Sequence, residues 1–182
     1  MAKDQHGLRT ALIREAIGLL ESGTTELSLR QVARAAGVSP MAPYRHFADK
    51  MALLRAVAEH GFDRLRIDLE AADDVANHRE GLLAQGLAYV AFARSHPALF
   101  RLMFTDHCAP GTPVNPGAAA YAVLTHRVEA AFPDEPGAAT LACWAIVHGL
   151  ATLALDGRTS GEAGETRAVL DLFVTSLHRS QR

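Results

Sequence analysis

Cysteine chemistry is the first thing this chain is short of: its 182 residues include two cysteines, Cys108 and Cys143, and no CxxC pair. Two thiols alone supply neither a four-ligand structural zinc site nor a disulfide framework. Aromatic residues make up 6 % of the chain, and Ile and Val are sparse beside abundant Ala, which favours helices over a strand-rich core. No segment alternates apolar and polar residues as a half-buried strand does. Internal repeats and low-complexity tracts are also missing. There is no GxSxG elbow, HExxH pair, phosphate-binding P-loop or GxGxxG turn after a strand, so the familiar hydrolase, metalloprotease and nucleotide-binding signatures are excluded. A nucleophilic Cys108 with His107 or His148 has nothing in the sequence to orient the pair. The longest apolar run, Leu141 to Leu155, is interrupted by His148 and falls short of the ~20 residues a membrane span needs. The opening Met1-Ala2-Lys3-Asp4-Gln5-His6 is not the apolar run of a leader peptide. These absences point to a non-enzymatic, soluble, all-α protein of a reducing cytoplasm, with no membrane association.

What is present is an ordinary globular composition, 49 % apolar and 21 % charged, enough to bury a real core. The net charge of -2 conceals an asymmetry. Up to Arg55 there are eight Lys/Arg against five Asp/Glu, a balance of +3, and the remainder therefore carries -5. A cationic first third on an acidic body suits a protein that presents one end to a polyanion.

Helix signals run the length of the chain. Leu12, Ile13, Ala16, Ile17 and Leu20 recur at helical spacing and predict a first helix over Leu8 to Glu21, stopped by Ser22-Gly23. Ser28-Leu29-Arg30-Gln31 reads as a capping box in which Ser28 and Gln31 satisfy each other's backbone donors. Leu29, Val32, Ala33 and Ala36 form one face, Gly37 follows as a left-handed C′ residue, and Ser39-Pro40 reads as the N-cap and first position of another helix. Asp49 caps a fourth helix reaching about Ala72. Asn77 opens one that reaches Ser95, and His96-Pro97 breaks it before a short segment from Ala98 to Thr105. Asp106 to Asn115, with Pro110, Gly111 and Pro113, reads as loop. Asn115-Pro116 and Glu135-Pro136 each look like an N-cap followed by Pro at N1, opening helices to Ala131 and Leu155. A glycine-rich turn precedes a last helix to about Arg179. The total is about nine helices.

The stretch from Ser28 to Phe47 combines a short helix, a tight glycine turn and a second short helix, the geometry that lays one helix across a DNA backbone while the next enters the major groove. A plain αα-hairpin has the same outline. Small residues Ala33, Ala36 and Gly37 allow close approach, and Phe47 can anchor the second helix. The remainder, Ser39, Met41, Ala42, Tyr44, Arg45 and His46, mixes polar donors for base edges with apolar groups for thymine methyls. Tyr44 and Lys50 sit where they can reach phosphate oxygens, and Ser28 lies at a helix N-terminus, itself attractive to phosphate.

The wording of this stretch is more specific than its periodicity. From Leu27 to Leu54, and above all in the spacing Tyr44-x-x-Phe47-x-x-Lys50 followed by Leu53-Leu54, the chain resembles the DNA-binding domain of the tetracycline-repressor-like (TetR) family of bacterial regulators. The resemblance is strong over residues 8–60. It implies a homodimer that binds a near-palindromic double-stranded operator through an N-terminal helix-turn-helix and is released by a small-molecule effector held in a C-terminal helical domain. Carried over by position, Ser28, Arg30, Ser39, Met41, Ala42, Tyr44, Arg45, His46 and Lys50 make up the DNA-binding set, with Tyr44 and Lys50 on phosphates and Ser39, Met41 and Ala42 facing bases. Pro43 departs from the commonest family pattern. At the fourth helical position it cannot donate to the Ser39 carbonyl, so the helix start is expected to be distorted.

In the C-terminal half, Trp144-Ala145-Ile146-Val147-His148-Gly149 matches the Trp-x-x-x-His-Gly signature of one C-terminal domain type in that family. Trp144 and His148 share a helical face. Either His148 bonds an effector in a pocket walled by Trp144, or it caps a carbonyl inside the core while Gly149 lets two helices touch. Tyr89, Phe92, Phe100, Met103 and Phe104 recur at helical spacings and are either core or the wall of a cavity. Together with Trp144 and His148 they form the expected effector pocket. The last two helices, with Leu141, Ala145, Thr152 and Leu155 on one and Val169, Leu170, Leu172, Phe173 and Leu177 on the other, are apolar on more than one side and are expected to pack on a twofold copy. Asp106-His107-Cys108 offers metal-capable side chains, but adjacent loop residues rarely converge on one ion, and no metal or cofactor is expected. The division expected is a DNA-binding domain at 1–55 and an effector-binding and dimerisation domain at 56–182.

Overall fold

The computed structural model describes the backbone of residues 2–105 and 117–179, and the side chains of residues 7–105 and 117–177. Eight α-helices and one 3₁₀ turn are present among them, and no strand: α1 (Ala2–Glu21), α2 (Leu29–Ala35), a 3₁₀ turn (Pro43–Arg45), α3 (Lys50–Ala72), α4 (His78–Ser95), α5 (Pro97–Met103), α6 (Ala118–Ala131), α7 (Pro136–Leu155) and α8 (Ala163–Arg179). The all-α reading holds.

Local signals placed most boundaries. Asp49 Oδ1 accepts from the Ala52 N–H at 2.7 Å, and Asn77 Oδ1 from those of Arg79 and Glu80 at 2.9 and 3.2 Å, so both act as the N-caps their sequence suggested. Pro136 occupies the first turn of α7. Two boundaries differ from expectation. Helix α1 begins at Ala2 rather than Leu8, because its first turns are polar and leave no apolar period to read. Helix α6 begins at Ala118 behind Gly117; Asn115, Pro116 and the expected loop from Asp106, including Cys108, lie outside the described residues.

The chain divides into two compact units, residues 1–62 with 96–116, and residues 63–95 with 117–182, the first division falling inside α3. In the first unit, Leu12 and Ala16 of α1, Val32 and Ala33 of α2, Phe47, and Leu53 and Val57 of α3 are buried. Helix α5 belongs to this unit and packs on α1, a long-range placement that a linear reading cannot see. In the second unit α4 packs against α6, α7 and α8, burying Leu83, Val90, Val128, Phe132, Val147 and Leu170.

Candidate functional site

The first unit builds an exposed recognition element from local rules. Ser28 has extended backbone, and its Oγ accepts from the Gln31 N–H at 3.3 Å. Gln31 does not return the bond to the Ser28 backbone as a reciprocal capping box would; its Oε1 accepts the Ser28 hydroxyl at 2.7 Å. Helix α2 ends in the expected glycine turn. Gly37 has φ +67, its N–H reaches the Arg34 carbonyl, and the Val38 N–H reaches back to the Ala33 carbonyl.

Beyond that turn the structure corrects one expectation. No α-helix starts at Ser39-Pro40. The Ser39 carbonyl accepts from the Ala42 N–H at 3.0 Å, an i to i+3 bond, and the only helical element before Lys50 is the 3₁₀ turn Pro43–Arg45. The cause is the one Pro43 announced: lacking an N–H, it cannot close the α-helical bond to Ser39, so that carbonyl is satisfied by the tighter turn. The element is pinned from behind. Pro43 and Phe47 are buried, the Arg9 guanidinium of α1 lies 5.5 Å over the Phe47 ring, and the half-buried His46 ring is tilted against it.

This leaves Ser39, Met41, Tyr44, Arg45 and Lys50 facing solvent, with Met41 68 % and Tyr44 45 % exposed. Ala42 is half-buried, as is Ser28, whose hydroxyl is committed to its cap. Arg30 is exposed on α2. Among the described residues Arg30, Arg34, Arg45 and Lys50 make no ion pair, so their charge is available to a polyanion.

In the second unit the Trp-x-x-x-His spacing has a definite use. Residues 144 and 148 lie one turn apart on α7, and His148 bonds a hydroxyl on α4. Tyr89 Oη lies 2.9 Å from His148 Nδ1, and the Trp144 ring is tilted against the His148 ring with centroids 5.8 Å apart. Burial pushes the Tyr89 hydroxyl far above its ordinary range and pulls the His148 pKa down, so both are neutral at pH 7. Tyr121 of α6 stands edge-on to Trp144 at 5.8 Å and is partly exposed. Through Nδ1, His148 thus bonds a tyrosine. A Cβ on Gly149 would meet open space, so close helix contact within the chain does not require this glycine. Cys143, one residue before Trp144, is buried and its thiol is pushed up to about 11, an inert state.

The remaining expected pocket residues separate between units. Phe92 is buried in the second. Phe100, Met103 and Phe104 are in the first, where Phe104 stands edge-on to Phe62 at 5.4 Å and 4.9 Å from the Phe100 ring. On the expected dimer face Leu141 (57 % exposed) and Ala145 are open, whereas Thr152, Leu155, Val169, Phe173 and Leu177 are half-buried. Leu172 is 71 % exposed. Leu170 is core, its side chain filling the space beside Gly86 of α4. Leu153, which the sequence did not single out, joins the exposed apolar set. By length and composition α7 is apolar enough to cross a membrane, with mean hydropathy 1.7 over a window that is 28 % buried. The uncharged turn from Pro136 to Thr140 extends the apolar run that begins at Leu141.

Two residues that hold this frame escaped the sequence. Arg127 of α6 is 9 % exposed. Its Nε donates to Asp73 Oδ1 at 2.6 Å and its Nη2 to the carbonyls of Asp73 and Val75 at 2.7 and 3.1 Å, tying α6 to the connection between α3 and α4. Gly81 makes room, since a Cβ there would sit 2.8 Å from the guanidinium. A lone Arg in an Ala-rich helix was the available signal. The other is Glu21, taken up below.

Residues 12–57 match the family described as "Bacterial regulatory proteins, tetR family", and residues 82–177 match "Tetracyclin repressor-like, C-terminal domain". The chain belongs to the TetR family. The C-terminal match spans the Trp144, His148 and Tyr89 clamp. Among solved structures, a protein of unknown function from Rhodococcus sp. RHA1 is 38 % identical, with 93 % of this chain and 94 % of that one covered and a TM-score of 0.80. A TetR family transcription regulator from Marinobacter aquaeolei VT8 shares the fold at 19 % identity, with 96 and 97 % covered and a TM-score of 0.73. So does a TetR variant from Acinetobacter baumannii AYE in complex with minocycline, at 22 % identity, 94 and 96 % coverage and a TM-score of 0.68. As a TetR-family transcription regulator the chain is a DNA-binding protein of a family of regulators rather than enzymes.

Proposed function

We propose that this TetR-family chain is a cytoplasmic repressor that binds a near-palindromic operator as a homodimer and is released by a small-molecule effector. The observation that carries the reading is the exposed, unpaired recognition set on a buried Pro43–Phe47 anchor. Tyr44 and Lys50 take phosphates, Ser39, Met41 and Ala42 face base edges, and Arg30, Arg45, His46 and the backbone around Ser28 complete the footprint. Functionally, residues 1–55 carry DNA contact and residues 56–182 carry dimerisation and effector binding. The exposed apolar residues of α7 and α8, Leu141, Leu153 and Leu172, support a seam between two copies, which also accounts for an apolar helix that its own chain leaves open.

The mechanism is an equilibrium between two arrangements of paired recognition elements, one placing them about 34–36 Å apart to reach successive major grooves. An effector that prefers the other arrangement weakens DNA binding, about 5–150-fold for a coupling of 1–3 kcal/mol, and DNA weakens effector binding by the same factor. The minocycline-bound neighbour supports a fold that accommodates a small molecule; the Tyr89, Trp144 and His148 cluster with Phe92 is the proposed pocket wall in the second unit. Selection of bound duplexes from a random library tests the reading: enrichment of an inverted repeat is expected, and a pool that stays random after repeated rounds would contradict it.

A further inference from the structure

Glu21 breaks a local rule. It is the last residue of α1, where the helix macrodipole disfavours a carboxylate. Its two oxygens explain the placement: they accept from the backbone N–H groups of Ala98 and Leu99 at 3.2 and 2.9 Å, the first free donors of α5. The first turn of α5 supplies no side-chain cap of its own. Pro97 has no N–H, and the His96 side chain makes no capping bond. The carboxylate is therefore a tertiary N-cap, set on the helix whose own end it slightly destabilises in order to hold another, and such conflicts of local and global preference mark positions with a task.

The rest of α5 is seated on the same unit. Met103 packs over Gly61 of α3, whose missing Cβ would lie 2.7 Å from the Met103 sulfur, and Phe104 stands edge-on to Phe62. Along the chain, α5 is joined to α4 through His96 alone. The path from the second unit thus enters the DNA-binding unit on a helix that α1 clamps at its first turn.

Resting on the homodimeric reading above, we infer that Glu21 is a positioning residue for operator recognition: its cap on α5 fixes how the recognition element is carried and so sets which half-site spacing the dimer accepts. Glu21 touches no DNA in this account. With the clamp open, α3 would carry the recognition element without this second anchor, and a wider range of spacings would become accessible.

The test uses the full-length protein and duplexes carrying two half-sites at the selected spacing, at spacings one and two base pairs longer or shorter, and one half-site alone. In Glu21→Ala, half-site affinity should stay within about threefold of wild type, since no DNA contact is removed. Affinity at the selected spacing should fall on the order of tenfold, the size of a lost charged cap, and the penalty for wrong spacings should shrink. Glu21→Gln, which keeps one acceptor oxygen, should lie between. Faster amide exchange at Ala98 and Leu99 in Glu21→Ala would report the opened cap. Unchanged spacing profiles would overturn the inference, as would half-site and paired-site affinities falling in equal proportion, which would leave Glu21 a role only in the fold of its unit. If wild type itself binds pairs no better than single half-sites, the homodimeric reading falls and this inference with it.

Discussion

Replacing Tyr89 by Phe removes one oxygen and keeps the ring, so it isolates the hydrogen bond of the clamp from the packing around it. One partner loses its bond, the His148 Nδ1. A buried polar group left unsatisfied costs about 1–3 kcal/mol. His148 is only half-buried, so water recovers part of the loss, and the low end of that range gives about 1 kcal/mol. For a chain of this size that is a fall in Tm of about 2–4 °C. Trp144 is the only tryptophan, so intrinsic fluorescence during urea unfolding reads both the stability loss and the altered indole environment. Tyr121→Phe is the control, because that ring meets Trp144 by its edge and Phe preserves the contact; it should cost less than about 0.5 kcal/mol. Equal stability of Tyr89→Phe and wild type, with an unchanged native emission spectrum, would refute the clamp.

Burial holds the His148 pKa below its ordinary value of about 6.5. The unfolded chain therefore takes up this proton first as pH falls, so the stability contributed by neutral His148 is complete above that value and declines below it toward the folded-state pKa. The urea midpoint should drop between pH 7.5 and pH 5 by more in wild type than in His148→Gln; equal or reversed slopes would place the titration elsewhere. Lys50→Ala should weaken binding to all duplexes alike and lower the salt slope by about one, and an unaltered slope would remove Lys50 from the phosphate contacts. Leu141→Asp combined with Leu172→Asp changes residues that are 57 and 71 % exposed, so the monomer should fold normally and sediment as a monomer. An intact dimer would move the seam away from that face.

The sequence was most readable where structure is decided by neighbours. Ser28, Gly37, Asp49, Asn77 and Pro136 each act on backbone groups within a few residues, and each does in the fold what its residue type dictates. Pro43 was legible in kind but not in extent: the missing N–H signalled distortion, whereas its conversion of the whole stretch into turns depends on how the chain relaxes around it. Partners distant in sequence were not legible. Nothing about Tyr89 names His148, 59 positions away, and nothing about Glu21 names the first turn of α5 beyond its odd position at a helix end. Leu170 and Leu172 show the same limit on one helix. Both are apolar in a pattern that is hydrophobic on several sides, and only the packing of α8 on α4 buries the first and leaves the second in solvent.

On the function proposed, this chain recognises DNA as a pair, through the exposed element before Lys50. The most direct measurement is an equilibrium titration of one selected inverted-repeat duplex and its scrambled counterpart over a range of salt, with the stoichiometry read at saturation. Two chains per duplex, with the repeat bound about 10³-fold or more above the scrambled sequence, are predicted. Weak, steeply salt-dependent binding that does not distinguish the two duplexes would contradict it.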